Sequence, residues 1–190
     1  MPAGRGRGEF NYYGTADATA WFLVVLASLD DRALRDEFED AWRGAGAWLA
    51  RQLDRGGGLV RHTPTTVPGG LVQQGWRDSH DPADGTGGRI LHADGRVPGG
   101  PRLADADTQA VSYAALRALA KLDPDGRWDE QASTLQARIS TAFGPEVMAV
   151  EGDGTEVRGP GRSSAGCCGP ARSRRSRRPA RPSACAGRTY

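Results

Sequence analysis

Cysteine is scarce in this chain, and all three examples, Cys167, Cys168 and Cys185, fall near its end. An odd number outside the body argues against a disulfide scaffold. Cys167-Cys168 with no further Cys or His at ligand spacing is poor material for a zinc site. Long apolar runs are also missing. The longest, Trp21 to Leu29, is too short to cross a bilayer, and the arginines near the N-terminus precede no apolar stretch of the kind a secretory signal needs. The expectation is a cytoplasmic protein with no membrane partner. His62, His80 and His92 lack metal-ligand spacing and form no Ser/His/Asp order. Asp78, Asp81, Asp84 and Gly85 lack the alternating acids and closing glutamate of a calcium loop. No metal and no cofactor is expected.

The length of 190 residues suits one domain with an ordinary core, although the hydrophobic fraction of 38% is low. The net charge of +2 hides an asymmetry. The body is acidic, whereas the stretch from Arg158 onward carries many arginines and no Asp or Glu. Such an end can be a basic tail for nucleic acid. Its loss of all periodicity and its near-confinement to Gly, Pro, Arg, Ser, Ala and Cys, with only Thr189 and Tyr190 besides, favour a different origin, a stretch translated out of frame. No nucleic-acid partner is therefore expected. The organisation expected is a flexible leader over residues 1–9, a helical body over residues 10–157 and a disordered tail over residues 158–190.

Four helices follow from periodicity. The first, from about Ala16 to Leu29, is apolar nearly all round, which predicts a buried helix; Thr15 or Asp17 is placed to cap it. The second, from about Arg32 to Leu53, puts Leu34, Phe38, Trp42, Ala45, Trp48, Leu49 and Leu53 on one face. Gly44 and Gly46 weaken it, and Gly56-Gly57-Gly58 end it. The third, from about Asp105 to Leu122, turns Val111, Leu116 and Leu119 inward. The fourth, from about Arg127 to Phe143, does the same with Trp128, Leu135, Ile139 and Phe143. Val147 to Val150 and Thr155 to Val157, around Gly152-Asp153-Gly154, predict a β-hairpin. Between the helix pairs, Gly56 to Arg102 is rich in Gly, Pro and Asp, and a loop of that length is functional or disordered.

That loop carries Gln73-Gln74-Gly75-Trp76-Arg77-Asp78-Ser79-His80-Asp81. An indole beside acidic residues is what a sugar site needs: the ring stacks on the C–H face of a pyranose while a carboxyl group reaches the glycosidic oxygen. The block resembles the Gln-Gly-Trp-(Lys/Arg)-Asp-Ser-x-Asp motif of the bacterial amylo-α-1,6-glucosidase, or glycogen-debranching-like, proteins, grouped with the mannosylglycerate-hydrolase-like and glucosidase-I-like glycoside hydrolases. Asn11-Tyr12-Tyr13-Gly14-Thr15-Ala16-Asp17-Ala18-Thr19, Leu91-His92-Ala93-Asp94-Gly95 and Leu103 to Ala115 are similar to three further blocks of that family, in the family's order. The resemblance spans roughly Phe10 to Val157. It implies an all-α fold, a partial (α/α)6 toroid of about four of the twelve helices, with a long functional loop and a short β-hairpin. It also implies an inverting hydrolase of α-glucosidic or related bonds and a carbohydrate substrate.

By the same resemblance Asp81 is the general acid, and Asp17, Trp76, Arg77, Asp78, Asp107 and Gln109 bind substrate. Several have a plainer alternative. Asp81 before Pro82 starts a turn, Asp17 caps a helix, Trp76 fills core, and Arg77 is solvated. Asp107 stands where the family has the longer Glu, and Tyr113, one turn beyond Gln109, is core. An inverting glycosidase also needs a base on the opposite face of the sugar. Glu146, Glu151 and Glu156 match no base motif of the family. The alternative reading of the whole chain is a non-catalytic helical remnant, either carbohydrate-binding or a pseudogene product.

Overall fold

The structure is a computed structural model that describes residues 14–62, 73–75, 90–98 and 102–159. The leader, the tail beyond Gly159 and the centre of the long loop lie outside the described residues. The expected helices are present, with one division. In chain order they are α1 (Ala18–Ser28), α2 (Arg32–Glu37), α3 (Glu39–Arg55), α4 (Ala106–Leu122) and α5 (Trp128–Ala142). The single second helix expected from periodicity is thus α2 followed by α3. Phe38 leaves helical geometry at φ −99°, ψ 20°. Its N–H still closes on Leu34, and its carbonyl starts α3 by accepting from Trp42 at 2.9 Å. The break leaves the Arg35 carbonyl accessible, and the Trp42 indole N–H takes it at 3.2 Å. Phe38 itself is 40% exposed rather than inward, its ring meeting Phe22 edge-on at 6.4 Å.

The directions of the helices follow from what their ends touch. After α3 the chain reaches Val60 and His62, which bond Gln109 and Asp105 at the start of α4. After α5 it enters a strand that pairs with the residues just before α4. Both α3 and α5 therefore run antiparallel to α4 and parallel to each other. In agreement, Gly46 of α3 abuts Leu119 and Trp128, and Gly58 beyond its end abuts Arg138. The core between these helices holds Leu23, Leu49, Leu116, Leu119 and Leu135, all essentially solvent-free, along with Trp42, Leu53, Ile139 and Phe143. The inward faces expected of the third and fourth helices are found, although Trp128 is only partly buried.

A small sheet closes the end of the bundle where α4 begins. The expected hairpin, β2 (Val147–Val150) and β3 (Glu156–Arg158), is joined by a strand periodicity did not show, β1 (Ala104–Asp105), giving the antiparallel order β1-β2-β3. Ala104 pairs with Val150 and Asp105 with Ala149. The hairpin turn uses Gly154 at φ 92° and an Asp153 carboxylate that accepts the Thr155 N–H. Behind the sheet, Ile90, Leu103, Ala149 and Val157 make a second, smaller core. The fold is thus predominantly helical with a three-stranded antiparallel sheet.

A further expectation fails. The first helix is apolar all round but not buried all round. Leu23 and Leu26 face the core, whereas Trp21, Val25 and Leu29, spaced by a helical turn, are each about half exposed. Periodicity showed that every face of α1 is apolar; which faces meet a partner depends on the elements around it, and α3 and α4 cover only part of its circumference.

Two glycines of α3 separate local from tertiary effects. A Cβ on Gly46 would stand 3.1 Å from both Leu119 and Trp128, while one on Gly44 meets nothing within 4 Å. Gly44→Ala should raise stability by about 0.5–1 kcal/mol through helix propensity alone. Gly46→Val should lower it by about 1–3 kcal/mol through overpacking. Urea unfolding of the two variants reads the opposite signs directly.

Candidate functional site

The Gln73–Gly75 segment, which leads into Trp76, sits where α1 and α4 both begin. The Gln74 carbonyl accepts the Ala16 N–H at 2.7 Å, one residue before Asp17. The Gln74 N–H donates to His62 Nδ1 at 3.1 Å. Gly75 lies so close to the start of α4 that an added Cβ would stand 3.3 Å from the Thr108 hydroxyl and 3.8 Å from both Asp105 Oδ2 and His62 Nε2. The two helices, which pack against each other, therefore start at one end of the bundle, with Asp17 at the mouth of α1 and Asp107 in the first turn of α4. Gln73 is fixed by a different device. Its carboxamide donates to the Ile90 carbonyl and accepts the Ile90 N–H, both at 2.8 Å.

At the centre of this arrangement is a buried pair. His62 Nε2 lies 2.8 Å from Asp105 Oδ2, and both side chains are 4% exposed. Because Nδ1 accepts from Gln74, the ring proton sits on Nε2 and donates to the carboxylate. The other carboxylate oxygen accepts the Thr108 N–H at 2.8 Å, so Asp105 also caps α4. Burial alone would raise the Asp105 pKa. The hydrogen bond from His62, its charge when protonated and the Thr108 N–H outweigh that, and hold the carboxyl below its ordinary range.

The residues expected at a sugar site divide into three groups. Asp17 and Asp107 are brought to the same end. Asp17 is buried at the N-cap position of α1, yet its side chain makes no capping hydrogen bond; the capping alternative does not hold for it. Gln109 is completely buried. Its carboxamide accepts the Val60 N–H at 2.8 Å and donates to the Val60 carbonyl at 2.7 Å and the Asp105 carbonyl at 3.1 Å. Every described polar contact of Gln109 thus goes to the protein backbone. Trp76, Arg77, Asp78 and Asp81, with His80, lie outside the described residues. Tyr113 packs against the main core. Among the described residues no group of three or more His, Cys, Asp or Glu is arranged to hold a metal, and no helix is long and apolar enough to cross a membrane.

Neither a protein-family model nor a curated protein matches the chain.

Three polar arrangements at this end were not anticipated from the sequence. His62 and Asp105 are 43 residues apart, and no motif links them. The Asp105-x-x-Thr108 spacing is the one legible trace, as a helix start. His92 and Glu151 form a second pair, 2.6 Å apart and largely buried, between two tight turns. Arg61 faces no carboxylate among the described residues. Its guanidinium instead binds the carbonyls of Gly56, Arg102, Val150 and Glu151 at 2.8–3.4 Å, tying the end of α3 to the sheet. Burial, then the neighbouring charges of Arg102 and Arg138, lower its pKa.

Two substitutions test these roles. Because the folded-state pKa of Asp105 is depressed, its stabilisation is complete above the unfolded value of about 3.9 and is lost as pH falls through the folded value. Asp105→Asn should therefore be destabilised by about 2–4 kcal/mol at pH 7. That deficit should shrink below about pH 4, where Asp105 of the unfolded wild type begins to protonate while the folded carboxyl is still ionised. Denaturant unfolding at pH 7 and at about pH 3 measures both. Gln109→Ala leaves the Val60 N–H and carbonyl unpaired in a dry interior and should cost about 2–5 kcal/mol. Unchanged stability in the same assay would return Gln109 to the substrate-binding role.

Proposed function

We propose that the chain forms part of the catalytic domain of an inverting glycoside hydrolase of the amylo-α-1,6-glucosidase type, acting on α-glucosidic or related bonds. The bundle is read as part of an (α/α)6 toroid, with α1 and α4 as neighbouring inner helices and α3 and α5 outside them. The observation that supports this reading is the anchoring of Gln73–Gly75 between the starts of α1 and α4. It brings the residue before Trp76 to the end that holds Asp17 and Asp107, the three blocks that the family resemblance assigns to one sugar site.

In this reading Asp81 protonates the leaving oxygen. That role needs a carboxyl that holds its proton near neutral pH, which desolvation beside an indole such as Trp76 favours. Trp76 stacks on the sugar ring, Arg77 and Asp78 bind its hydroxyls, and Asp17 and Asp107 line the pocket. Gln109 acts from below by fixing Val60. The general base is the missing part. Inversion needs a second carboxylate about 6.5–9.5 Å from the acid. Glu146 and Glu156 are exposed, and Glu151 is hydrogen-bonded to His92.

The 190-residue chain alone should accordingly show no useful turnover of maltose, isomaltose or glucosylglycerate. Absence of a general acid/base group by itself costs about two to four orders of magnitude. The chain joined in frame to the remaining helices of a toroid should hydrolyse one of these substrates with inversion, read by NMR of the released anomer, and Asp81→Asn in that protein should abolish the activity. Robust turnover by the 190-residue chain, or full activity of the Asp81→Asn protein, would overturn the assignment.

A further inference from the structure

The contacts of His62 make the position of the Trp76 approach depend on a single proton. Nδ1 can accept the Gln74 N–H only while it carries no proton of its own. Protonation there would set two N–H groups against each other across 3.1 Å, in a site with 4% side-chain exposure. The imidazolium would not leave its other partner. Nε2–H keeps its bond to Asp105 Oδ2, and that carboxyl stays ionised because its pKa is already depressed. The charged ring is thus retained by α4 and repels the segment on its far side.

We propose that His62 is a proton-gated latch on this segment: the neutral ring holds Gln74, and protonation at Nδ1 pushes Gln74 and Gly75 away from the starts of α1 and α4. The charged and titratable groups around the latch are few among the described residues. Asp105 faces it from α4, beside the Thr108 hydroxyl that abuts Gly75. Asp17 follows Ala16 on the α1 side, where Ala16 holds the Gln74 carbonyl. Asp107 lies two residues beyond Asp105. Arg61, next in sequence, turns its guanidinium to the carbonyls of Gly56, Arg102, Val150 and Glu151. The Gln73–Gly75 segment contributes no titratable side chain. His62 is therefore the one described group at this junction that gains a positive charge on taking up a proton.

Because Gly75 leads directly into Trp76, the latch couples acidity to the placement of the segment that enters the long loop. The device follows from hydrogen-bond chemistry and does not rest on the glycosidase reading.

The test is NMR on the full chain between about pH 8 and pH 5. The ring 15N shifts of His62 should show the Nε2–H tautomer at the upper end and protonation at the lower. The Gln74 amide protection factor, corrected for intrinsic exchange, should fall at least about tenfold with the same midpoint, while the amides of Leu116 and Leu119 keep theirs. His62→Asn offers Oδ1 as an acceptor that does not titrate, and its Gln74 protection should be flat across the range. Three results would each overturn the proposal. One is Gln74 protection unchanged while His62 titrates. Another is a neutral ring that carries its proton on Nδ1, and the third is a ring that stays neutral until the whole chain unfolds. Should His62→Asn fail to fold, the wild-type titration alone decides.

Discussion

The hydrogen bond between His62 and Asp105 is the constraint on which this end of the molecule depends. A carboxylate that is 4% exposed is tolerable only when its oxygens are matched by donors. Asp105 has two: an imidazole N–H from the chain after α3 and a backbone N–H from its own helix. Each link fixes something larger. The first holds the return of the chain from α3 against the start of α4. The second defines where α4 begins and where β1 ends. Through the far nitrogen of the same ring, the order extends to Gln74 and from there to Ala16 and α1. Two helices, a strand and a loop meet on one imidazole.

Around this centre the irregular backbone is satisfied by side chains that imitate a strand. Gln73 pairs with both polar groups of Ile90, and Gln109 with both of Val60. A carboxamide carries a donor and an acceptor side by side, so it can complete a backbone position that has no neighbouring strand. Arg61 does the complementary work on carbonyls alone. Such pairs are stronger constraints than their number suggests, because leaving any of these buried groups unmatched is costly. The same chemistry changes how Gln109 is understood. Its carboxamide is occupied in holding the backbone of Val60.

The exposed face of α1 stands apart from this well-matched region. Trp21, Val25 and Leu29 present large apolar surface at helical spacing. Under the reading of the bundle as part of a toroid, this face belongs against a further helix, which would account for an apolar pattern on every side of α1.

Local sequence determined a good deal. The inward faces of α4 and α5, the hairpin about Gly154 and the start of α4 at Asp105 all depend on neighbours a few residues apart, and period, turn and capping chemistry report those directly. The break at Phe38 was invisible to that reading because Leu34, Phe38 and Trp42 keep a helical period across it. What only the tertiary structure decided is every contact between distant segments. His62 with Asp105, Gln74 with His62 and Ala16, and Gln109 with Val60 join residues whose spacing follows no period. The burial expected of the whole of α1 failed for the same reason: a helix apolar on all sides does not say which side its neighbours cover. The sequence also brought Asp17 and Asp107 forward through separate resemblances, and it took the parallel packing of α1 and α4 to put them at one end. Periodicity records how a segment meets a core. It holds no information about which other segment supplies the partner, and it is those partners that build this site.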